Sequence, residues 1–351
     1  MITRIPAYFD QFRCLAGSCP DTCCGQWEII IEPEIKDRYL ALEGELGDKL
    51  RASLSTLDGE DCLTLQNGRC PMLTADNLCA LISQYGTELL STTCDSHPRF
   101  TEVYGGLQET MLSLSCPAAA DLLLDRQEPL TFTTRSDDTL PEPTDLDADL
   151  FFALMEGRET AFSIVQNRSF SLSDRLALLL CFADRLDNCI EKPALCRRFS
   201  QFYRDVNYCR RQLIRVKRLR SCGTMTYARQ LLFAMEHLSD AFPTALRELE
   251  TTDLTPHAVE LEHLTVYFLF RWWMKAACDG YLWRQAAAAV VSVLAIASLG
   301  KTMGSCKEAA RLYSKEIEHS EDNMALLRRA MELPHFSRDQ LLHILEVPHA
   351  I

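Results

Sequence analysis

The spacing of cysteines in the first third of the chain is the strongest constraint on its fold. Nine of the sixteen cysteines lie within residues 1–116 of a 351-residue chain. The vicinal pair Cys23-Cys24 does not easily form an internal disulfide, because the planar trans peptide between the two residues holds their side chains apart. Thiolate sulfur is a soft ligand for zinc, copper(I) and iron–sulfur clusters. The spacing therefore predicts a metal-binding segment, with ordinary buried cysteines and disulfides as the alternatives.

Eight of these nine cysteines are the predicted metal ligands. Glycines and prolines stand beside several of them, as expected where the backbone bends around sulfur. The ninth, Cys62, lies in an alternating pattern that is typical of a strand, and it needs no ligand role. The sequence leaves open whether the eight thiols serve one site or two. The predicted ligands are Cys14, Cys19, Cys23, Cys24, Cys70, Cys79, Cys94 and Cys116.

The first ten residues lack the apolar core of a secretory signal. We therefore expect a cytoplasmic protein whose cysteines are reduced, which favours metal ligation over a disulfide framework. Zinc and an iron–sulfur cluster are not distinguished by the sequence, since both accept four thiolates.

Charge and hydropathy argue against two classes of partner. A formal net charge of -13 disfavours general binding to nucleic acid or to an anionic membrane. The most apolar run, residues 286–299, has fourteen residues, fewer than the ~20 that span a bilayer. We interpret this run as a buried helix. We expect neither nucleic-acid binding nor membrane insertion, and the oligomeric state stays open.

The predicted fold is mainly α: a small, irregular α+β cysteine-rich metal-binding domain followed by an all-helical domain. The cysteine-cluster domain is predicted over residues 1–125, a polar linker over 126–145 and the helical domain over 146–351. After residue 145 apolar residues recur with the helical period, so no sheet is expected there. A hairpin turn is predicted at 104–107, and helices over 34–54, 118–124, 146–167, 172–190, 194–219, 223–240, 257–279, 281–299, 302–331 and 337–346.

Several segments stand in a distinctive order along the chain: Cys23-Cys24 followed by Trp27, Cys70-Pro71-Met72-Leu73, Leu78 to Ile82, Gly86 to Cys94, His97-Pro98-Arg99 and Leu112 to Pro117. This order resembles the flagellin lysine N-methylase family, a bacterial group with a cysteine domain. The similarity covers about residues 8–124, and beyond them it consists of helical character and length.

This resemblance implies an enzyme that uses S-adenosylmethionine to methylate lysine side chains of flagellin. It also implies a cysteine-ligated iron–sulfur cluster of the 4Fe-4S type, with zinc as the alternative metal. The alternative function is a non-enzymatic protein that chelates iron or zinc, or a redox module. No catalytic residue is identified from the sequence.

Trp27 and Arg99 are the predicted cofactor-binding residues beside the cysteines. Trp27 can stack on a methionine-derived cofactor or pack over the metal site. Arg99 can bind a carboxylate through two hydrogen bonds or form a structural ion pair. The chain has neither the glycine-rich turn of a Rossmann-type methyltransferase nor the Cys-x3-Cys-x2-Cys motif of radical enzymes. The place where S-adenosylmethionine binds therefore stays open.

The predicted helix over 194–219 is basic within an acidic protein. Its arginines recur on one face, which is either a solvated face paired with acidic helices or a docking surface for an acidic partner. These arginines are Arg197, Arg204, Arg211, Arg215 and Arg218.

Overall fold

The computed structural model describes residues 1–345 except Gln26, Glu28, Asp58, Glu142 and residues 218–222. The chain divides into two compact units. The cysteine unit consists of Gln11–Phe100 and Leu112–Ala120, and the helical unit consists of Met1–Asp10, Thr101–Met111 and the chain from Asp121 onward.

Strands occur only in the first 136 residues of the described chain, and helices make up most of the rest, so the prediction of a mainly helical protein is confirmed. The strands are β1 (Ile2–Pro6), β2 (Ile29–Ile30), β3 (Leu54–Leu57), β4 (Glu60–Leu63), β5 (Arg99–Tyr104), β6 (Leu107–Leu112) and β7 (Phe132–Ser136). The helices are α1 (Pro33–Ala41), α2 (Gly44–Ser53), α3 (Ala80–Tyr85), α4 (Thr92–Ser96), α5 (Pro117–Leu124), α6 (Ala148–Val165), α7 (Leu172–Asp187), α8 (Pro193–Arg204), α9 (Val206–Lys217), α10 (Thr226–Phe233), α11 (Ala241–Leu246), α12 (Ala258–Trp272), α13 (Ala276–Asp279), α14 (Leu282–Met303), α15 (Cys306–Tyr313), α16 (Glu321–Ala330) and α17 (Arg338–Ile344).

A four-stranded sheet, in the order β5-β6-β1-β7, joins distant parts of the sequence. β1 runs parallel to β6, with Ile2 opposite Leu107, and antiparallel to β7, with Ile2 opposite Ser136. The range 126–145, predicted as a linker, therefore contains a sheet strand. Phe132 and the two threonines that follow it are residue types that suit a strand, but pairing with the distant β1 is not visible in a local pattern.

The cysteine unit is built from short elements around a three-stranded sheet in the order β2-β4-β3. The single helix predicted over 34–54 is wrong, because α1 and α2 are separate. The chain turns between them at Gly44, whose φ of +85° is a left-handed conformation that glycine adopts without strain. The apolar cluster of this unit consists of Ile29, Ile31, Tyr39, Leu50, Leu63, Met72, Leu81, Leu89 and Leu90.

The core of the helical unit is organised around α14. Residues 286–299 are buried, as predicted, and α14 packs against α7, α12 and α15. At 22 residues it is long and apolar enough to cross a bilayer by length and composition alone, but 83% of its most apolar window is buried inside the protein. That degree of burial is typical of a core helix.

Three predicted helices in this unit are wrong in extent. The helix predicted over 223–240 is shorter, because α10 ends at Phe233. The helix predicted over 302–331 is interrupted, because α14 continues to Met303 and ends at Gly304, which has a φ of +73°. α15 then passes into a π-helical turn over Ser314–Glu318. The helix predicted over 194–219 is divided into α8 and α9 at Asp205, whose backbone is extended. The prediction of no sheet after residue 145 is confirmed for the described residues.

Candidate metal centre

A tight turn positions the first two predicted ligands. The backbone N–H of Ala16 points to the Cys14 Sγ at 3.4 Å, and that of Cys19 donates to the Ala16 carbonyl at 3.1 Å. Gly17 is required there, since a Cβ on it would lie 2.6 Å from the Asp76 carbonyl oxygen. The turn therefore fixes the backbone beside Cys14, which is an exposed residue.

The vicinal pair connects two parts of the cysteine unit. The Cys23 and Cys24 thiols hydrogen-bond each other, and the indole N–H of Trp27 donates to the Cys23 carbonyl at 3.1 Å. The carbonyl of Cys24 accepts the backbone N–H of Cys70 at 2.8 Å. Cys24 is thereby fixed to the segment that carries the later ligands.

Three of the later predicted ligands pack against the apolar cluster. Cys70, Cys79 and Cys94 are half-buried there, and Trp27 packs against the same cluster. Cys79 immediately precedes α3 and forms an isolated β-bridge with Leu73. In α4 the N–H of Cys94 donates to the Ser91 hydroxyl at 3.3 Å, which caps the helix.

Electrostatic interactions group the thiols around Cys23 and around Cys24, and these two thiols also interact with each other. The hydrogen bond from Cys24 raises the pKa of Cys23 most, followed by burial and by the thiols of Cys24, Cys14 and Cys116. Burial raises the pKa of Cys116, and the thiols of Cys19 and Cys14 add to that rise. The first thiol set is therefore Cys14, Cys19, Cys23 and Cys116.

The second thiol set is centred on Cys24. The hydrogen bond from Cys23 lowers the pKa of Cys24. Burial raises the pKa of Cys70 to about 12 and that of Cys94 to about 11, and the thiols of Cys24 and Cys79 add to both rises. The second thiol set is Cys24, Cys70, Cys79 and Cys94.

The two sets fit a thiolate-bound metal in donor type and in number. Each offers four thiols, as zinc and iron–sulfur clusters require. The backbone N–H groups of Ala118 and Ala119 also donate to the Cys116 sulfur and favour its thiolate. No three Cys, His, Asp or Glu side chains already meet at one ion-sized point among the described residues. Metal binding would therefore have to draw the thiols of a set together.

The remaining predicted residues lie in ordinary structural surroundings. Cys62 is buried in β4 with its sulfur 3.2 Å from the Ser55 hydroxyl. The Trp27 ring lies 6.1 Å from the His97 ring, centroid to centroid. Arg99 is exposed and stacks its guanidinium 5.8 Å from the centre of the Phe12 ring. A cofactor-binding role of Trp27 and Arg99 stays a prediction.

Two features of the helical unit were missed by sequence reasoning. One is a close pair of thiols, since the sulfurs of Cys189 and Cys196 are 3.6 Å apart. The other is a cavity of about 360 Å³ among α6, α7, α8 and α9. Neither gives a local sequence signal, because both depend on how helices pack. The cavity is lined by Ser163, Ile164, Asn167, Phe170, Leu178, Tyr203, Arg204, Val206 and Cys209.

The basic stripe of α8 and α9 is partly neutralised. Arg197 pairs with Asp149 at 3.3 Å, Arg204 with Glu156 at 3.6 Å and Arg211 with Asp205 at 4.0 Å. These pairs favour the interpretation that the basic stripe is a solvated face paired with acidic residues. Arg218 lies outside the described residues.

Comparisons with known proteins relate the chain to lysine N-methylases and to a flagellar protein. A family model described as the FliB lysine N-methylase C-terminal domain matches residues 158–345, more than half of the chain. The flagellar biosynthetic protein FliU of Salmonella muenchen is 28% identical over 134 residues, which cover 34% of this chain and 75% of FliU. The Lysine-N-methylases of Salmonella typhimurium and Salmonella choleraesuis are each 29% identical over 138 residues, or 37% of this chain. The match spans only 34% of the length of either Lysine-N-methylase. No solved structure matches the chain.

Proposed function

This chain belongs to the FliB lysine N-methylase family, and from that premise we propose that it is a protein-lysine N-methyltransferase that uses S-adenosylmethionine and acts on flagellin. The observation that carries the proposal is the match of the family model to residues 158–345, which lie in the helical unit. The similarity to FliU and to the two Lysine-N-methylases supports a flagellar protein as the substrate.

The proposed reaction needs a neutral lysine, although a lysine side chain is normally protonated at neutral pH. The ε-nitrogen attacks the methyl carbon of the sulfonium, so that a C–N bond forms while the C–S bond breaks. The bonding electron pair stays on sulfur, giving S-adenosylhomocysteine, and the methylated ammonium can release a proton to solvent. The chain must hold donor and acceptor in line and keep competing water away.

We further propose that the cysteine unit holds an iron–sulfur cluster of the 4Fe-4S type, with zinc as the alternative. The proposal is supported by two sets of four thiols and by backbone amides that favour the Cys116 thiolate. Thiolate ligation supplies much of the folding free energy of small metal-held units. In a cysteine unit that binds metal, the indole N–H of Trp27 would help to fix the backbone at Cys23.

Incubation of the purified chain with flagellin and methyl-labelled S-adenosylmethionine tests the activity. We expect label on flagellin lysines, located by mass spectrometry, and none on flagellin whose lysines have been dimethylated chemically beforehand. Absence of label from a metal-loaded, folded protein would reject the proposed methyltransferase.

The two thiol sets also favour a second candidate function, a non-enzymatic protein that chelates iron or zinc. This candidate predicts bound metal without methyl transfer. Metal analysis and absorption spectroscopy under anaerobic conditions identify the metal: iron with broad visible absorption indicates a cluster, and a colourless protein with zinc excludes it.

A further inference from the structure

We propose that the cavity among α6, α7, α8 and α9 is the binding site for S-adenosylmethionine, a nucleoside that carries a zwitterionic amino-acid tail. This inference rests on the proposed methyltransferase function and specifies where its cofactor binds. The cavity measures about 360 Å³, within the ~300–1,000 Å³ typical of small-molecule pockets. All of its lining residues fall within the range that the family model matches.

One part of the cavity is apolar and aromatic. Tyr203 is 4% exposed, and its ring contacts that of Phe182 in a tilted arrangement at 4.9 Å and that of Tyr208 edge-on at 5.2 Å, between centroids. Phe170 lines the same cavity from the loop between α6 and α7. Two aromatic side chains on an apolar wall suit an adenine ring, which binds proteins mainly by stacking and apolar contact.

Arg204 is a charged residue on the wall of the cavity, and Glu156, which is not among the lining residues, lies beside it. The Arg204 Nε–H donates to the Thr160 hydroxyl at 3.1 Å, which holds the guanidinium in place. The Glu156 carboxylate stands 3.6 Å from that guanidinium. A guanidinium binds a carboxylate through paired hydrogen bonds, so Arg204 suits the carboxylate of an amino-acid tail.

The cavity also offers hydrogen-bonding groups that suit the hydroxyls of a ribose. The Asn167 side-chain oxygen accepts the backbone N–H of Ser169 at 3.2 Å and its hydroxyl at 2.6 Å. The amide group is thereby oriented, and its NH2 has no hydrogen-bond partner within the described chain. Ser163 donates its hydroxyl to the Glu159 carbonyl at 2.9 Å, which leaves its oxygen able to accept.

The cavity opens to solvent, because Ser163, Arg204 and Val206 are exposed residues on its wall. An open side is necessary for a methyl donor whose acceptor is a lysine on another protein. A fully enclosed cavity would bind the cofactor without letting the acceptor reach the methyl group.

Calorimetric titration of the full-length protein with S-adenosylhomocysteine tests the assignment. Arg204→Gln removes the charge that would bind the carboxylate, and we expect binding at least about tenfold weaker. Val206→Trp fills the mouth of the cavity, and we expect a loss of binding affinity at least as large as that of Arg204→Gln. Because Arg204 and Val206 lie at the surface, thermal melting should show both variants folded.

Two matched controls lie on α9, outside the cavity. Arg211→Gln removes an arginine that is 60% exposed and does not line the cavity, and Ile214→Trp places the same large ring at a position 59% exposed on α9. Both should bind within twofold of the wild type.

Wild-type affinity in both cavity variants, with methylation retained, would overturn the assignment and leave the proposed function standing. A wild-type protein that neither binds S-adenosylhomocysteine nor methylates flagellin would overturn both.

Discussion

The two compact units differ in what stabilises each of them. In the helical unit a long apolar helix, α14, is buried along most of its length, and buried charges are paired. Arg158 forms a two-pronged ion pair with Glu109, and Arg175 pairs with Glu262 at 2.5 Å. In the cysteine unit the elements are short, and three half-buried thiols pack against a cluster of nine buried residues.

This difference indicates which unit depends on a ligand. Long helices with a continuous core need nothing beyond their own packing. Burial of a small apolar cluster surrounded by turns barely offsets the conformational entropy that the chain loses on folding. In such units metal ligands or disulfides usually supply the remaining stability. All described cysteines are free thiols, so the cysteine unit is the part that should require metal.

The largest expected effect comes from replacing both Cys23 and Cys24 by serine. Each thiol set then loses one ligand, and we expect the cysteine unit to lose its stability, on the order of 5 kcal/mol or more. Limited proteolysis followed by mass spectrometry should show new cleavages within residues 11–100 and none in α14. Metal content should fall with the loss of structure, and methyl transfer should fall with both.

The exposed Cys278 provides the control, since Cys278→Ser removes a thiol from the helical unit and should change neither metal content nor cleavage. A double mutant that stays folded and binds S-adenosylmethionine but transfers no methyl group would show that the thiols act in the chemistry itself. That result would contradict the structural role assigned to them.

Replacing Arg158 by Met tests how far a buried ion pair stabilises the helical unit. The Glu109 carboxylate would remain buried with only the more distant guanidinium of Arg4, at 3.9 Å, beside it, and we expect a loss of about 3 kcal/mol in the free energy of unfolding. Urea unfolding followed by circular dichroism measures it. The double variant Arg158→Met with Glu109→Leu should recover most of the loss, since it removes both charges. If the double variant is as unstable as the single one, packing of the Arg158 side chain matters more than its charge.

A smaller effect should appear as a pH dependence confined to the helical unit. His263 is buried, with Nε2 3.0 Å from the Glu128 carbonyl, and burial lowers its pKa. The unfolded chain therefore takes up a proton below about pH 6.5 while the folded chain does not. Stability should fall as the pH drops through that range, by up to about 1.4 kcal/mol per pH unit. His263→Gln should flatten this slope in urea titrations, and an unchanged slope would assign it to other groups.

Local signals in the sequence predicted part of this structure. Tyr104-Gly105-Gly106-Leu107 predicts a hairpin turn, and β5 and β6 are joined there. Cys116-Pro117 predicts the start of a helix, and α5 begins at Pro117. In each case the residues that determine the structure are neighbours in the chain, so the pattern is sufficient.

Features that depend on distant residues were not predicted. β1 pairs with β7 across more than 120 residues, and Arg158 meets Glu109 across 49. The cavity beside Arg204 depends on the packing of four helices, and the division of Cys23 and Cys24 between two thiol sets depends on segments near Cys70 and Cys116. Spacing identified the eight thiols as candidates, but their grouping is a property of the folded chain.

The smallest expected effect concerns the close thiols of the helical unit. The sulfurs of Cys189 and Cys196 lie 3.6 Å apart. Two thiols fall short of the four that a thiolate-bound zinc or cluster takes. Replacing both by serine should therefore leave metal content unchanged and alter the free energy of unfolding by about 1 kcal/mol. Metal analysis beside the Cys23/Cys24 double variant checks this, and a loss of metal would show that the helical unit also needs a ligand.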